Sequence, residues 1–306
     1  MAYSVPTSTI AGQTVWYLAQ LPSYEEFTSL VESSNFTDRI PSFLSDSLAT
    51  SEVEATFEGL NTYYTSLFAK TLDELPEGSD VYHYLTLKAD LRRLEDTVYA
   101  REQAFEPEAI KDALLRELET CYHPERFRNA IKDRAADLEA SEEVFEFLSV
   151  LEEIYLELGI ENALSSAYLT RVITAEVNRH NAMVAIRRSR RGQTKATIYP
   201  RLIRDARLPG RVLFETLQFG DTLGEVGHLL GLSPETLSET QVETHLLHKE
   251  IEALNSAKYE GVEAERIAQY LEVVYHFVSN VKLALAGHRF GLPFEELEAR
   301  LVNYTA

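Results

Sequence analysis

The chain has 306 residues, 45% hydrophobic and 25% charged, a balance ordinary for a globular protein and long enough for one to three domains. It contains no apolar run of 18 or more residues, its N-terminus carries neither the basic start nor the apolar block of a secretory leader, and a single Cys121 excludes an internal disulfide framework, so a cytoplasmic setting is expected. The net charge of −20 argues against nucleic acid as a general partner, because a phosphate backbone repels such a surface.

From about residue 50 onward the apolar residues recur at helical spacing. Leu87, Leu91, Leu94 and Val98 form one stripe and predict a helix over roughly 82–101. Pro107, between Glu106 and Glu108, opens the next helix, since proline suits a first turn and acids suit the positive end of the helix dipole. Val172/Ile173, Val177 and Val184 predict a helix over 165–190, closed by Gly192. Ala196-Thr-Ile-Tyr199 is the only tempting strand. Gly210, Gly220, Gly224, Gly227 and Gly231 then crowd 22 residues, which predicts loops and short helices. Val274, Phe277/Val278, Val281 and Leu285 predict a third long helix over 266–288, ended by Gly291, with Pro293, Glu295 and Glu296 opening a further one. The fold class expected is all-α.

Few residues suggest chemistry. The stretch Gly220–Gly227 has no preceding strand and no Lys-Ser/Thr pair, so it is neither a Walker loop nor a dinucleotide fingerprint. His245, His248 and Glu252 share a helical face, but the zincin pattern is missing and the histidines are expected on a solvated flank. Nothing completes a nucleophilic site around Cys121 and His123, and the glutamates read as solvent-facing. No catalytic residue, cofactor or metal is expected. Asn181 shares the inward face with Val177 and Val184, so its amide needs buried partners and reads as a clamp between helices, with Asn280 in the same part. Charge is uneven: residues 171–211 hold eleven Lys or Arg against Glu176 and Asp205, a local +9 on a remainder of −29. A basic face of that density suggests an acidic partner.

Three segments also echo one another. Each begins at a Tyr-Leu pair (Tyr84, Tyr168, Tyr270), and when Arg93, Asn181 and Asn280 are aligned the residues that follow them echo one another, giving repeats of about a hundred residues. Such a period exceeds the usual solenoid unit. The division expected is about 1–105 (repeat one with an N-terminal segment), 106–205 and 206–306, each a long helix, a tight turn and a returning helix.

These motifs resemble those of the stalk subunit called C in prokaryotes and d in eukaryotes, from V/A-type rotary ATPases. Asn280-Val-Lys-Leu-Ala-Leu-Ala-Gly287-His-Arg-Phe-Gly291-Leu-Pro293-Phe-Glu-Glu296 resembles the family's C-terminal signature. Asn178-x-x-Asn181 with Arg187 and Gly192 resembles its middle repeat, and Asp90-x-x-Arg93 its first. Arg93 stands where the family has Asn, Asn178 and Phe277 where it has acids, and His288 where it has Lys. The resemblance implies a funnel of three V-shaped helical units around a pseudo-threefold axis. It implies a non-catalytic socket between the soluble central shaft and the membrane proteolipid ring, at the cytoplasmic face, with no membrane span of its own. The basic excess is expected to face the partner opening through Arg187, Arg188, Arg190, Arg191, Arg207, Gly210 and Arg211, with Arg93, Asn181 and Asn280 as repeat anchors. Two rivals are a free-standing helical-repeat scaffold gripping an acidic protein and an all-α enzyme built on His245, His248 and Glu252.

Overall fold

A computed structural model describes residues 18, 20–48, 54–102, 105–163, 165–205, 207–208, 217–257 and 263–305. Among them every regular element is helical. In chain order these are α1 (Tyr24–Glu32), α2 (Phe36–Ser47), α3 (Phe57–Leu72), α4 (Asp80–Tyr99), α5 (Pro107–Glu117), α6 (Pro124–Asp133), α7 (Ala135–Glu139), α8 (Val144–Ala163), α9 (Ala167–Arg190), α10 (Lys195–Ile198), α11 (Thr222–Leu229), α12 (Glu239–Asn255), α13 (Glu263–Phe290) and α14 (Phe294–Glu298). The segment Ala196–Tyr199 is therefore helix, with a 3-10 turn over Tyr199–Arg201.

The boundaries have local causes. Ser79 and Ser166 accept the N–H groups of Tyr82 and Leu169 at 3.2 and 3.1 Å, so α4 and α9 begin on N-caps. Pro107 and Pro124 open α5 and α6, where a missing N–H costs nothing. Gly192 and Gly291 end α9 and α13 at φ +76° and +67°, a left-handed conformation that strains any residue with a Cβ.

The helices form two compact units, one of Met1–Glu77 with Leu247–Ala306 and the other of Gly78–Leu246. In the second, α8 packs against both α4 and α9. Its core runs through Leu85, Leu87, Leu94, Leu151, Ile154, Leu169, Val172 and Ile173, all buried. In the first, α13 packs on α3. These units do not follow the division expected from the repeats: their boundaries fall inside 1–105 and 206–306, and only 106–205 lies wholly within one unit.

Two expectations are overturned here. Several glutamates are interior: Glu153, Glu176, Glu250 and Glu272 are all buried. The long helices α8, α9 and α13 are covered on most of their faces, so even their polar positions meet neighbouring helices. His245 and His248 are half-buried instead of lying on a solvated flank, while Glu252 is exposed and pairs with Lys249 at 2.7 Å.

Candidate functional site

Asn181 and Asn280 each grip the backbone N–H and C=O of a single residue with both ends of the amide. Asn181 Nδ2 donates to the Ile203 carbonyl at 2.9 Å, and its Oδ1 accepts the Ile203 N–H at 2.8 Å. Asn280 Nδ2 donates to the Val302 carbonyl at 2.7 Å, and its Oδ1 accepts the Val302 N–H at 3.0 Å. The two clamps lie 99 residues apart, and in each the gripped residue follows 22 positions after the amide.

The backbone between follows the same register. Gln193 N–H bonds the Arg188 carbonyl at 3.1 Å, as Leu292 N–H bonds the Gly287 carbonyl at 2.9 Å. This is a Schellman turn over the positive-φ glycine in both cases. Ile198 N–H then meets the Thr194 carbonyl as Leu297 N–H meets that of Pro293, and Leu202 meets Tyr199 as Leu301 meets Glu298. Ile198, Leu202, Leu297 and Leu301 are buried. An amide, a glycine and two apolar anchors therefore define one fold-back segment, present once in each unit.

Asp90 and Arg93 of α4 also hold backbone groups, but of three residues and farther along the chain than the asparagines reach. Arginine cannot accept a hydrogen bond, so Arg93 takes only a carbonyl, that of Thr120. Asp90, one turn earlier, accepts the N–H groups of Tyr122 and His123 at 2.8 Å each. Burial pushes the Asp90 pKa up, opposed by those two N–H groups and by Arg93.

The unusual residues of the third segment answer the N-terminal helices. Phe277 is fully buried and meets Phe27 of α1 and Tyr304 edge-on at centroid distances of 5.8 and 5.5 Å. His288 stacks on Phe36 at 4.5 Å and bonds the Val31 carbonyl through Nε2 at 2.7 Å. An acid at 277 would be buried against aromatic rings, which explains an apolar residue there.

The basic segment is largely neutralised from within. Arg187 pairs with Glu239 and, at 3.3 Å, with Glu243, and lies 4.3 Å over the Phe145 ring. Arg190 meets Glu239 at 2.7 Å, and Arg191 meets Glu143 and, at 2.7 Å, Glu146. Arg201 pairs with Asp137, and Arg207 with Asp205 at 2.6 Å. Arg188 is buried and bonds Gln193 at 3.2 Å. Gly210 and Arg211 lie outside the described residues. Much of the excess of +9 in sequence is thus met by Glu143 and by acids from α7, α8 and α12, and the premise of an unopposed positive face around Arg187–Arg191 gives way.

Two polar clusters, one buried and one half-buried, were invisible to sequence reading. Glu176 of α9 accepts from Lys88 at 2.5 Å, Tyr84 at 3.0 Å and Tyr155 at 2.8 Å, joining three helices through a buried ion pair. Nearby in the same unit, Glu152 takes Arg179 at 2.9 Å and His180 Nδ1 at 2.7 Å. Burial raises the Glu152 pKa, but Arg179 and His180 outweigh it and hold it down at about 2. Burial and the Glu152 charge together push Glu95 up to about 7.

Elsewhere the chemistry is muted. The N–H groups of Gln218, Phe219 and Gly220 converge on the Glu225 carboxylate at 2.6, 3.2 and 3.0 Å, so this glycine-rich loop is filled by the chain's own anion. Beside it lies an open groove of about 860 Å³ lined by Leu217, Leu229, Leu232 and Leu237. Burial, then the Asp90 charge, push the Cys121 thiol up to about 12, far from a reactive thiolate. Burial, then Arg126 and His83, bring His123 down to about 4. Among the described residues no group of three His, Cys, Asp or Glu side chains is placed to hold a metal ion, and no helix is long and apolar enough to cross a membrane. No protein-family model matches the chain, and no curated protein matches its sequence.

Proposed function

We propose that the chain is a non-catalytic coupling subunit of a V/A-type rotary ATPase, the socket between the soluble shaft and the proteolipid ring. One observation carries this reading more than any other: the asparagine clamp at 181 and 280, reproduced hydrogen bond by hydrogen bond across 99 residues. A long repeat anchored by asparagines is what the resemblance to the stalk-subunit family rests on.

On this reading the three copies are V-shaped units of one funnel about a pseudo-threefold axis. The funnel stands on the cytoplasmic face of the ring, receives the shaft tip and carries torque without performing chemistry. Buried joints of the Lys88–Glu176 kind suit that role, because a joint under load benefits from interactions that are costly to separate. Shaft subunits and ring are the partners, and no nucleic acid is involved.

Native purification of the tagged chain from its own host tests the proposal. Nucleotide-binding ATPase subunits and a small membrane proteolipid should co-purify, and the isolated chain should not hydrolyse ATP. Recovery without either class of subunit, or ATP turnover by the chain alone, overturns it.

A further inference from the structure

Once the internal ion pairs are set aside, two cations of the basic segment stand apart. Lys195 and Arg204 are exposed, and among the described residues neither has a carboxylate within ion-pair distance. They flank a single aromatic ring. The Arg204 guanidinium lies 4.3 Å from the centroid of Tyr199, and Lys195 Nζ lies 5.9 Å from it and 5.9 Å from that of Phe219. Lys195 spends one donor on the Leu217 carbonyl at 2.9 Å, leaving two of its three, and a guanidinium has five. Stacking on an aromatic face holds both charged heads without neutralising them. Two like charges held beside one ring attract an anion more strongly than either would alone.

The matching segment supplies an internal comparison. Positions 99 residues on from Lys195, Tyr199 and Arg204 are Phe294, Glu298 and Asn303. The shared backbone therefore does not require this trio, and a structural explanation for it is lacking there. Its size also limits the ligand. A polyanion such as nucleic acid needs many cations along its length, and an anionic membrane is held by clusters of four to eight. Two cations on a body of −20 suit a short pair of carboxylates.

We propose that Lys195, Tyr199 and Arg204 form a docking point for an acidic segment of a partner protein, each cation taking one carboxylate. This rests on Lys195 and Arg204 alone, and not on the rest of the basic segment or on the partner being a rotor shaft. The test is fluorescence anisotropy with a labelled hexaglutamate peptide, a hexaglutamine control, and the variants Lys195→Gln/Arg204→Gln and Lys195→Glu/Arg204→Glu. Arg289→Glu/Arg300→Glu, two exposed cations of the matching segment, is the charge control. Wild type should bind hexaglutamate only, and more weakly as salt rises from 50 to 200 mM. The Gln pair should bind at least roughly tenfold more weakly, the Glu pair should not bind, and the charge control should match wild type. Thermal melts of both pairs should stay at wild-type temperature, since these side chains are on the surface.

Absence of binding, equal loss in the charge control, or tighter binding of a single-stranded oligonucleotide or phosphatidylserine vesicles through Lys195 and Arg204 overturns the proposal. Peptide binding without co-purifying ATPase subunits keeps this docking point and removes the coupling reading. ATPase subunits that co-purify while hexaglutamate fails to bind do the reverse.

Discussion

Residues 181–203 and 280–302 fold the same way and present different surfaces. Each pairs an asparagine clamp with a left-handed glycine and two buried apolar residues. Outside those positions they diverge: Ala196, Thr197 and Tyr199 of one correspond to Glu295, Glu296 and Glu298 of the other. The helices leading into them differ as well, for Glu176 in its buried ion pair corresponds to the half-buried Tyr275, which packs edge-on against Tyr64 at 5.4 Å. A few residues that satisfy the backbone hold the segment, and the rest are free to take up local tasks.

The largest expected effect separates those two helices. Lys88→Met strands the Glu176 carboxylate in a buried site and should cost about 3–5 kcal/mol in urea denaturation. The double variant Lys88→Met/Glu176→Leu should recover much of that loss, because the third segment shows an uncharged solution at the same position. A single variant costing under about 1 kcal/mol would mean the pair is hydrated and contributes little.

Next come the clamps, where the two segments should behave alike. Asn181→Ala or Asn280→Ala removes the partners of both the N–H and the C=O of one partly buried residue, a loss of about 2–3 kcal/mol. Amide exchange of Ile203 or Val302 should accelerate selectively in the corresponding variant. Aspartate at either position keeps the acceptor but sets a carboxylate against a carbonyl, so it should rescue little. Similar losses at both sites sharpen the equivalence; a large cost at one and none at the other breaks it.

Gly192→Ala and Gly291→Ala should each cost about 1 kcal/mol, through the positive φ alone, with nothing within 4 Å of the added Cβ. A marked difference between them would show that the turns are not equivalent.

The smallest effect depends on pH and belongs to the first repeat only, where Glu95 corresponds to Met183 and Lys282. Its folded pKa, pushed up to about 7, lies above the ordinary carboxylate value of 4.5. The folded state therefore binds the proton more tightly, and stability falls as pH rises from about 4.5 through 7. Glu95→Gln should be more stable than wild type by about 1 kcal/mol at pH 8, the side chain being only partly buried, with the gain vanishing by about pH 4.5. A gain independent of pH would trace to packing instead.

Helical periodicity made the three long helices legible, because α4, α9 and α13 carry apolar stripes and have glycine or proline near their ends. The inward turn of Asn181 could also be read, since it shares a face with Val177 and Val184. Its partner Ile203 could not be read, because a side-chain-to-backbone contact leaves no mark on the residue gripped. Buried glutamates escaped for a related reason: periodicity finds the apolar stripe but not how much of a helix neighbours cover. The basic segment misled because charge counted along the chain ignores acids brought in from other helices. Glu143, Glu239 and Asp137 are distant in sequence and adjacent in the fold.

The coupling role is tested most directly by deleting the chain in its own host and measuring ATP-driven ion uptake by membrane vesicles alongside ATP hydrolysis. The account predicts that hydrolysis persists in the soluble fraction while ATP-driven uptake is lost. Wild-type chain should restore uptake, and Lys195→Glu/Arg204→Glu should restore it less well. Uptake undiminished in the deletion strain would contradict the account.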